Sequence, residues 1–366
     1  NSNTQNGSSM MKVAEGAVSS TVDILKTLKE KVINASNDTN TDSDRATIQK
    51  ELDQSIDQIN DNANVTFNGK YLVDGSHNSK VTATTTALTN ESLSSATASD
   101  TAFSAMADRN GNSLNIQASD TITMSVVKEG KTTTFSVHGS DKLSDLTACS
   151  SDLSTTINTA ATIGSDVAGD TVSTADGGNA ITIHAAKAGV TSQIAGLSFS
   201  VTNTKGAVQK SANAVLDNFS ESVRAQATSN DNSLNLQVGT KSNQSIRVGL
   251  TDMRAEALGL QSSTGSTIQI GTQQQANAAV NVLDNAVQKA LDQQTTIGSV
   301  ESRLDYTSSN LTTASENVQA AESTIRDADM AKEMTEYTKN NVLLQASQSM
   351  LSQANQNSSS VLSLLK

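Results

Sequence analysis

Proline and tryptophan are absent from the sequence, cysteine occurs once, and aromatic residues make up only 2% of the chain. A single cysteine excludes an internal disulfide bond and a cysteine-based zinc site. So few aromatic side chains disfavour a base-stacking platform for nucleic acids. The net charge of -12 disfavours binding to nucleic acids or to anionic membranes. No apolar run reaches the roughly 18 residues expected of a membrane-spanning helix.

Small polar residues dominate what remains, yet hydrophobic residues still reach 35%, mostly alanine, leucine, valine and isoleucine. The 366 residues are enough for about two domains. Without aromatic bulk, one large globular core is not expected. The composition therefore predicts aliphatic and alanine seams between helices, together with small threonine-rich sheets.

The N-terminal segment carries a helix-packing pattern with a seven-residue period, which predicts a helix over residues 8–35. Its two rows, three residues apart, are Met11, Val18, Leu25, Val32 and Ala14, Thr21, Leu28, Ala35. A turn-rich loop at 37–42 and a second helix over 44–62 follow. Asn68-Gly69, flanked by β-forming residues, predicts a β-hairpin over 65–73, because both central residues of such a turn need positive φ.

The middle of the chain, residues 76–228, is rich in threonine and serine and has a period of two. We expect strands over 121–127, 132–137, 180–184 and 194–201, with a turn at 128–131. Short helices are expected over 143–158 and 208–225. Strand character continues over 233–238 and 245–250. This segment therefore reads as a β-rich insert, with either a solvated β surface or an outer face that carries O-linked glycans.

The C-terminal third has the clearest periodicity, which predicts a helix of at least 43 residues, about 63 Å long. One row has an unbroken seven-residue interval: Leu283, Ala290, Ile297, Leu304, Leu311, Val318 and Ile325. A companion row has Ala286, Val300, Ala314 and Ala321, with Gln293 and Thr307 as polar exceptions. Such a helix needs partners along its length, and the N-terminal seam has the same period.

The phase of this pattern breaks at 326–329, and a final helix follows. The last residues include Val361, Leu362, Leu364 and Leu365, an apolar terminus where polar residues are usual. We therefore expect these four residues to be buried in an assembly.

The predicted fold is α+β, with a long antiparallel coiled-coil core formed by the two ends of the chain and a β-rich variable domain inserted between them. The expected divisions are 1–75 for the first half of the core with the hairpin and 76–228 for the outer domain. Residues 229–325 form the second half of the core, and 326–366 form an assembly helix.

Motifs in residues 8–75 and 229–366 resemble those of bacterial flagellins, the proteins of the flagellar filament. They are Val13-Ala14-Glu15-Gly16-Ala17-Val18, Phe67-Asn68-Gly69-Lys70, Asp252-Met253-Arg254-Ala255-Glu256-Ala257-Leu258-Gly259, Ile325-Arg326-Asp327-Ala328-Asp329-Met330-Ala331 and Gln353-Ala354-Asn355-Gln356, with Val361-Leu362-Ser363-Leu364-Leu365. The resemblance implies a filament subunit used for swimming, outside the cell. It also implies other flagellin subunits, a flagellar export chaperone and a cap protein as partners, and export through the flagellar type III channel.

Flagellins carry a further helical stretch before the Glu-Gly-Ala motif, and this sequence begins after it, as a fragment or a truncated gene product would. By resemblance, that stretch pairs with the C-terminal helix in the innermost tube of the filament and helps to guide export.

The resemblance also implies recognition by the host innate receptor, Toll-like receptor 5. The receptor-facing positions would be Lys26, Thr27, Lys29, Glu30, Lys31, Asn34, Ile48 and Glu51. Well-recognised family members have Leu-Gln-Arg-Val-Arg-Glu-Leu in the first of these segments. Their first arginine falls on Thr27, the second on Lys29 and the final leucine on Lys31. Because threonine cannot replace an arginine fork and Lys31 adds a desolvation cost, we predict weak or altered signalling. The alternative is an ordinary solvated helix face with local lysine–glutamate pairing.

No pattern of catalytic residues appears in the sequence, and no cofactor or metal is predicted. His77, His138 and His184 lie apart and match no His-Glu-x-x-His motif, so surface positions are expected. Cys149 is expected to be a buried small apolar residue. The prediction is therefore a structural protein and not an enzyme. A hook-associated junction protein of the same superfamily is the alternative, and an unrelated coiled-coil adhesin is disfavoured by the motifs.

Overall fold

The computed structural model describes residues 2–151, 153–158, 161–326 and 329–364. Long helices occupy both ends of the chain and short strands occupy the middle. The helices are α1 (Ser2–Ala35), α2 (Asp42–Ala63), α3 (Leu143–Ala148), α4 (Lys210–Leu216), α5 (Gln273–Arg326) and α6 (Met330–Leu364). This α+β architecture confirms the predicted fold class, with helical ends and a β-rich insert.

The strands form antiparallel sheets and hairpins. They are β1 (Thr66–Phe67), β2 (Lys70–Tyr71), β3 (Ala87–Asn90), β4 (Thr121–Lys128), β5 (Lys131–His138), β6 (Leu153–Asn158), β7 (Thr162–Ser165), β8 (Thr171–Ser173), β9 (Ile181–Ala185), β10 (Gly196–Thr202), β11 (Ser220–Val223), β12 (Leu234–Gln237) and β13 (Ser245–Val248). In the insert, one sheet has the order β10-β4-β5 and another has the order β11-β3-β9-β6. The pairs β1-β2, β7-β8 and β12-β13 are separate two-stranded sheets.

Helix α1 lies between α2 and α5 and is antiparallel to both. On one side, Lys31 pairs with Glu51 at 2.7 Å, and Asn62 donates to the Ser20 hydroxyl. On the other side, Lys29 pairs with Asp284, and Lys12 pairs with Glu301 at 3.6 Å. In each case a later residue of α1 meets an earlier residue of its partner, so the chain ends form the expected antiparallel core.

The seven-residue rows of α1 form the centre of this core, as the sequence predicts. The buried members are Met11, Ala14, Val18, Thr21, Leu25, Leu28, Val32 and Ala35. All of them except Thr21 pack in one hydrophobic cluster with Leu52, Ile56 and Ile59 of α2 and with Leu283, Ala290 and Ile297 of α5. Burial of aliphatic side chains contributes about 1.5–3 kcal/mol per fully buried residue, so this seam is the main stabilising contact between the chain ends.

The turn between α1 and α2 is closed by a buried arginine. Arg45 donates to the carbonyl oxygens of Ala35 and Asn37 at 2.9 and 3.1 Å. It thereby satisfies a carbonyl at the C-terminal end of α1 that the helix itself leaves unpaired. At the start of α2, Thr41 and Asp44 form a capping box, and these hydrogen bonds from Thr41 hold the pKa of Asp44 below its usual range.

Two hairpin turns lie where the sequence predicts them, and the first has the predicted positive φ angles. Asn68 and Gly69 between β1 and β2 have φ angles of 51° and 78°. Glu129 and Gly130 between β4 and β5 have φ angles of 48° and 73°. Two successive residues with positive φ give the primed turn whose twist matches the adjoining strands.

Two helices predicted in the insert are too long, and in each case the second half is a strand. The helix expected over 143–158 ends at Ala148, and β6 follows and pairs with β9. The helix expected over 208–225 ends at Leu216, and β11 follows and pairs with β3. The threonine-rich sequence of β6 favours a strand, and Phe219 before β11 stacks on Phe199 of β10 with ring centroids 5.2 Å apart. Long-range pairing therefore decides these segments.

The segment 252–260 joins the helical core to the insert. Met253, Ala255 and Leu260 are buried in the core cluster, and Asn60 of α2 accepts from the Ala255 amide at 2.9 Å. Gly259 has a φ of +82°, and a Cβ there would lie 2.7 Å from the Ala195 Cβ, next to β10. Only glycine allows this approach, so the motif serves as a structural joint.

The chain divides into two compact units, Asn1–Tyr306 and Thr307–Lys366. Within the first unit the seam of α5 is buried as far as Leu304, which lies beside Gly7 in the early part of α1. In the second unit, Val318 and Ile325 are 67% and 84% exposed, and α6 has no buried residue among those described. The predicted phase break at 326–329 includes residues 327 and 328, which lie outside the described residues. Among the described helices, none has the length and apolar character needed to cross a membrane.

Candidate functional site

The eight positions singled out by the family resemblance lie on two adjacent helices. Leu25, Leu28 and Val32 point α1 into the core, which leaves the opposite side of the helix in solvent. Lys26, Thr27, Glu30, Asn34 and Glu51 are exposed, and Lys29, Lys31 and Ile48 are half-buried. We name these eight residues the α1–α2 surface.

The charged groups at the edges of the α1–α2 surface have intramolecular partners. Lys29 pairs with Asp284 of α5 on one edge, and Lys31 pairs with Glu51 of α2 on the other. Thr27 donates its hydroxyl to the Asp23 carbonyl oxygen at 3.0 Å, within its own helix. A ligand that used Lys29, Lys31 or Thr27 would therefore first have to displace these contacts.

The second candidate surface is α6. Its large apolar side chains are all more than half exposed: Met330, Met334, Tyr337, Val342, Leu343, Leu344, Met350, Leu351, Val361, Leu362 and Leu364. Val342, Leu343 and Leu344 are consecutive and therefore point to different sides of the helix. A helix that is apolar on several sides is typical of one enclosed by neighbours. Of the four terminal residues predicted to assemble, Leu365 lies outside the described residues.

A group of charges around the buried Lys289, where the insert meets α5, is not predicted from the sequence. Lys289 of α5 is only 9% exposed and donates its ammonium to the Ala257 carbonyl oxygen at 2.5 Å. Arg224, at the end of β11, pairs with Glu221 at 3.4 Å and with Asp292 of α5 at 2.6 Å. Of these contacts, the Arg224–Asp292 pair connects the insert to the helical core.

Burial and charge act in opposite directions on this group. Burial lowers the pKa of Lys289, while the negative charges of Glu221 and Asp252 act to raise it. Burial also raises the pKa of Glu221, and Lys289 and Arg224 oppose that change. Both charged forms are therefore disfavoured by burial and depend on each other. One residue nearby stands out in the sequence: Gln293, a polar exception in the seam, is buried and accepts from the Thr251 hydroxyl at 2.6 Å.

A polar cavity of about 190 Å³ lies beside these charges. Gln226 and Lys289 are among its lining residues, and the Oε1 atom of Gln226 is buried without a hydrogen-bond partner in the structure.

The structure corrects one expectation about possible nucleophiles. Cys149 was predicted to be buried, but it is exposed, because it follows the last residue of α3 and the buried face of that helix is formed by Leu143, Leu146 and Thr147. The Cys149 thiol donates to the Asp145 carbonyl oxygen at 3.2 Å. His138 is exposed, and His77 and His184 are half-buried. Within the described residues, no three His, Cys, Asp or Glu side chains are grouped so as to hold a metal ion.

Comparison with known proteins settles which family has these helical ends. The family model of the bacterial flagellin N-terminal helical region matches residues 1–78, and that of the C-terminal helical region matches residues 280–365. A flagellin from Clostridium tyrobutyricum is 30% identical over 356 residues, which are 97% of this chain and 82% of that protein. The chain belongs to the flagellin family.

Two further comparisons give a shorter match and a distant one. A flagellin from Bacillus subtilis is 42% identical over 154 residues, which cover 37% of this flagellin and 51% of the relative. Among solved structures, the flagellar hook associated protein-3 of Legionella pneumophila is 15% identical, with a TM-score of 0.38 over 90% of this chain and 95% of the other. As a flagellin, the chain is a structural subunit of the extracellular flagellar filament, which is built from flagellin subunits.

Proposed function

We propose that this flagellin enters the filament through α6, and that Val361, Leu362, Leu364 and Leu365 contribute to the contact between subunits. The observation that supports this is the row of exposed apolar side chains along α6, in which Leu362 and Leu364 are 71% and 86% exposed. Enclosing them between subunits removes apolar surface from water, at about 25 cal/mol per Å².

The test is polymerisation induced by a kosmotropic salt, followed by sedimentation and electron microscopy. Replacing Leu362 and Leu364 by serine should reduce the pelleted fraction strongly, while a matched Ser358→Ala, Ser363→Ala protein should pellet like the parent. Ser358, Leu362, Ser363 and Leu364 are all exposed in the subunit, so replacing them leaves its fold intact. Equal pelleting of the serine variant and the parent would exclude these two leucines from the contact.

We also propose the division of the chain into a helical core of residues 1–75 and 229–325, an outer domain of residues 76–228 and an assembly segment of residues 326–366. The two larger sheets support this division, since all their strands lie between Ala87 and Val223. A protein in which a short Gly-Ser linker replaces residues 76–228 should retain the helical circular dichroism of the core. Loss of that signal would show that the insert is needed for the core to fold.

A second proposed activity is weak or altered recognition by host Toll-like receptor 5 at the α1–α2 surface. The contacts that support it are those of Thr27, which bonds within its own helix, and of Lys31, which is paired with Glu51. Neither side chain offers the fork of an arginine or the apolar contact of a leucine, and the pair must be broken before Glu51 can bind elsewhere.

A receptor reporter assay would test this proposal. The Thr27→Arg, Lys31→Leu protein should be more potent than the parent, and a Lys50→Leu control on the exposed side of α2 should not be. If the parent already matches a strong flagellin, or if the double variant gains no more than the control, the proposal is wrong.

For delivery, we propose export through the flagellar type III system, with an export chaperone and a cap protein as partners. The apolar sides of α6 support the need for a chaperone, because an exposed helix of this kind promotes premature association. In co-purification with the flagellar chaperone, the Leu362→Ser, Leu364→Ser protein should be recovered less than the parent. Equal recovery would place the chaperone contact elsewhere.

A further inference from the structure

Asparagine followed by glycine is chemically labile, and the chain has three such pairs, Asn6-Gly7, Asn68-Gly69 and Asn110-Gly111. In this reaction the backbone nitrogen of the glycine attacks the side-chain amide carbon of the asparagine. A new C–N bond closes a five-membered succinimide ring, and ammonia leaves. Water then opens the ring at either carbonyl, giving aspartate or isoaspartate. The step needs a backbone that can bring the glycine nitrogen onto that carbon, so the local fold decides its rate.

Asn6-Gly7 is the most constrained pair. Both residues lie within α1, where the glycine amide belongs to the hydrogen-bond ladder of the helix. Gly7 is also buried, and a Cβ there would lie 3.0 Å from the Leu236 side chain. The helix must open before the ring can form.

Asn110-Gly111 is exposed, but hydrogen bonds to the backbone and side chain of Asp108 hold it in place. The Gly111 amide donates to the Asp108 carbonyl oxygen at 3.0 Å, so the attacking nitrogen is occupied. The Asp108 carboxylate accepts from the amides of Asn110 and Asn112 at 2.9 and 2.8 Å. Hydrogen bonds from Asn112 lower the pKa of Asp108, so this carboxylate remains charged in neutral solution.

Asn68-Gly69 is the least constrained pair. It forms the turn of β1 and β2, each of which has two residues, and both residues of the turn are exposed. The closing pair of the hairpin is Phe67 and Lys70, so the glycine amide lies outside the ladder. As at Gly111, no atom beyond the adjacent residues lies within 4 Å of the position that a Cβ of Gly69 would take, so the hydrogen bonds of the turn are what distinguish the two pairs. So short and exposed a hairpin opens at little free-energy cost.

We infer that Asn68 is a site of spontaneous deamidation, and that it reacts before Asn110 and well before Asn6. The reaction consumes one water molecule and releases one ammonia molecule for each asparagine converted. It adds one negative charge next to Lys70. The isoaspartate product also lengthens the backbone of a two-residue turn by one methylene group, which disrupts the register that the turn sets between the strands.

The experiment follows all three asparagines in one sample of the intact protein. The protein is incubated at mildly alkaline pH in heavy-oxygen water, which marks only the deamidation that occurs during incubation. The pairs lie on separate tryptic peptides, residues 1–12, 51–70 and 110–128, and tandem mass spectrometry locates the converted residue in each. Asn68 should convert at least about threefold faster than Asn110, because opening of the hairpin costs less than release of the Asp108 network.

The same chain in urea is the control, because unfolding removes the structural differences and leaves Asn-Gly in all three places. The three rates should then become similar. A folded protein in which Asn110 or Asn6 reacts as fast as Asn68 would overturn the inference. It would also be overturned if the same order of rates persisted in urea, since the order would then come from sequence context and not from the fold.

Discussion

Among single residues, the strongest constraint on this flagellin is the charge of Lys289 buried on α5. An ammonium removed from water needs partners, and the structure supplies the Ala257 carbonyl oxygen together with the nearby charge of Glu221. The two residues belong to different parts of the chain, so their interaction specifies how the insert meets the helical core.

We predict that the single changes Lys289→Met and Glu221→Gln each lower the free energy of unfolding, by at most about 3–5 kcal/mol, because each removes the opposite charge that offsets the burial of the other residue. The double variant should be far more stable than the sum of the singles implies, since it removes both charges. Urea unfolding of the four proteins gives the coupling directly. Strictly additive effects would contradict a coupled pair. An Arg247→Gln control, at an exposed pair with Asp231, should change stability by less than about 1 kcal/mol.

A second prediction concerns pH and Asp217, at the end of α4. Burial raises the pKa of Asp217 from 3.8 to about 6, against the hydrogen bond that its carboxylate accepts from the Phe199 amide. The folded chain therefore holds this proton more tightly than the unfolded chain. Its contribution to stability is complete below pH 3.8 and is lost as the pH rises towards about 6. The loss corresponds to about 3 kcal/mol at most.

Asp217→Asn should match the parent in acid and be more stable than the parent at neutral pH, because the amide oxygen can still accept from Phe199. Urea unfolding on both sides of this pH range provides the measurement. The Asp231→Asn control should behave in the opposite way and lose stability at neutral pH, because hydrogen bonds from Ser233 and Arg247 lower the pKa of Asp231. If Asp217→Asn leaves the pH dependence of stability unchanged, the carboxyl group does not titrate as described.

At the scale of elements, the long helix α5 keeps one seven-residue apolar period along its length, although its first part is buried and its last part is exposed. Ile297, in the first unit, is fully buried against the core, whereas Val318, in the second unit, is 67% exposed. The same seven-residue spacing therefore specifies contact within the subunit at one position and an open apolar row at the other.

Ile297→Ala should lower the free energy of unfolding by about 2–5 kcal/mol, through lost burial and the cavity it leaves. Val318→Ala should leave subunit stability within about 0.5 kcal/mol of the parent, because no buried contact is lost. Circular dichroism during urea unfolding distinguishes the two variants. Equal destabilisation by both would mean that Val318 is enclosed within the subunit.

Local patterns predicted the elements whose cause is local. The rows around Leu25 and Ile297 placed the helices, and the Asn-Gly pair at residue 68 placed a turn, because packing periods and positive φ can be read from neighbouring residues. The prediction of helix was wrong for the second halves of 143–158 and 208–225. These segments are strands because they pair with β9 and β3, which are distant in sequence. The sequence does not predict the environment of Lys289 for a similar reason: Glu221, whose charge acts on Lys289, lies on β11, within a segment whose pattern predicts a helix.

On the scale of the whole molecule, the two units differ in how far their side chains are enclosed. The first unit contains the hydrophobic clusters of the core and the insert. In the second, the described residues are exposed or half-buried throughout. Exposed segments with few buried contacts open most readily, so they are the first to be cleaved by proteases.

Limited trypsin digestion of the subunit should therefore cut first in α6, at Lys332 or Lys339, and only later within residues 76–228. Mass spectrometry during the digestion identifies the order of cuts. Polymerised protein should lose the early cuts if α6 is enclosed between subunits. A first cut within the insert would contradict the difference in local stability between the two units.

The position of α1 between its two partners has a consequence for the order of folding. Its contact with α2 is local and can form as soon as about 60 residues are available, as for other helical hairpins. Its contact with α5 joins residues as far apart as Lys29 and Asp284, which are separated by 255 positions. Closing so long a loop is slow, and α1 cannot complete its packing until α5 has been made. The core of a nascent subunit thus stays incomplete for most of its synthesis. It is completed only when the C-terminal third, which contains α5, has been made.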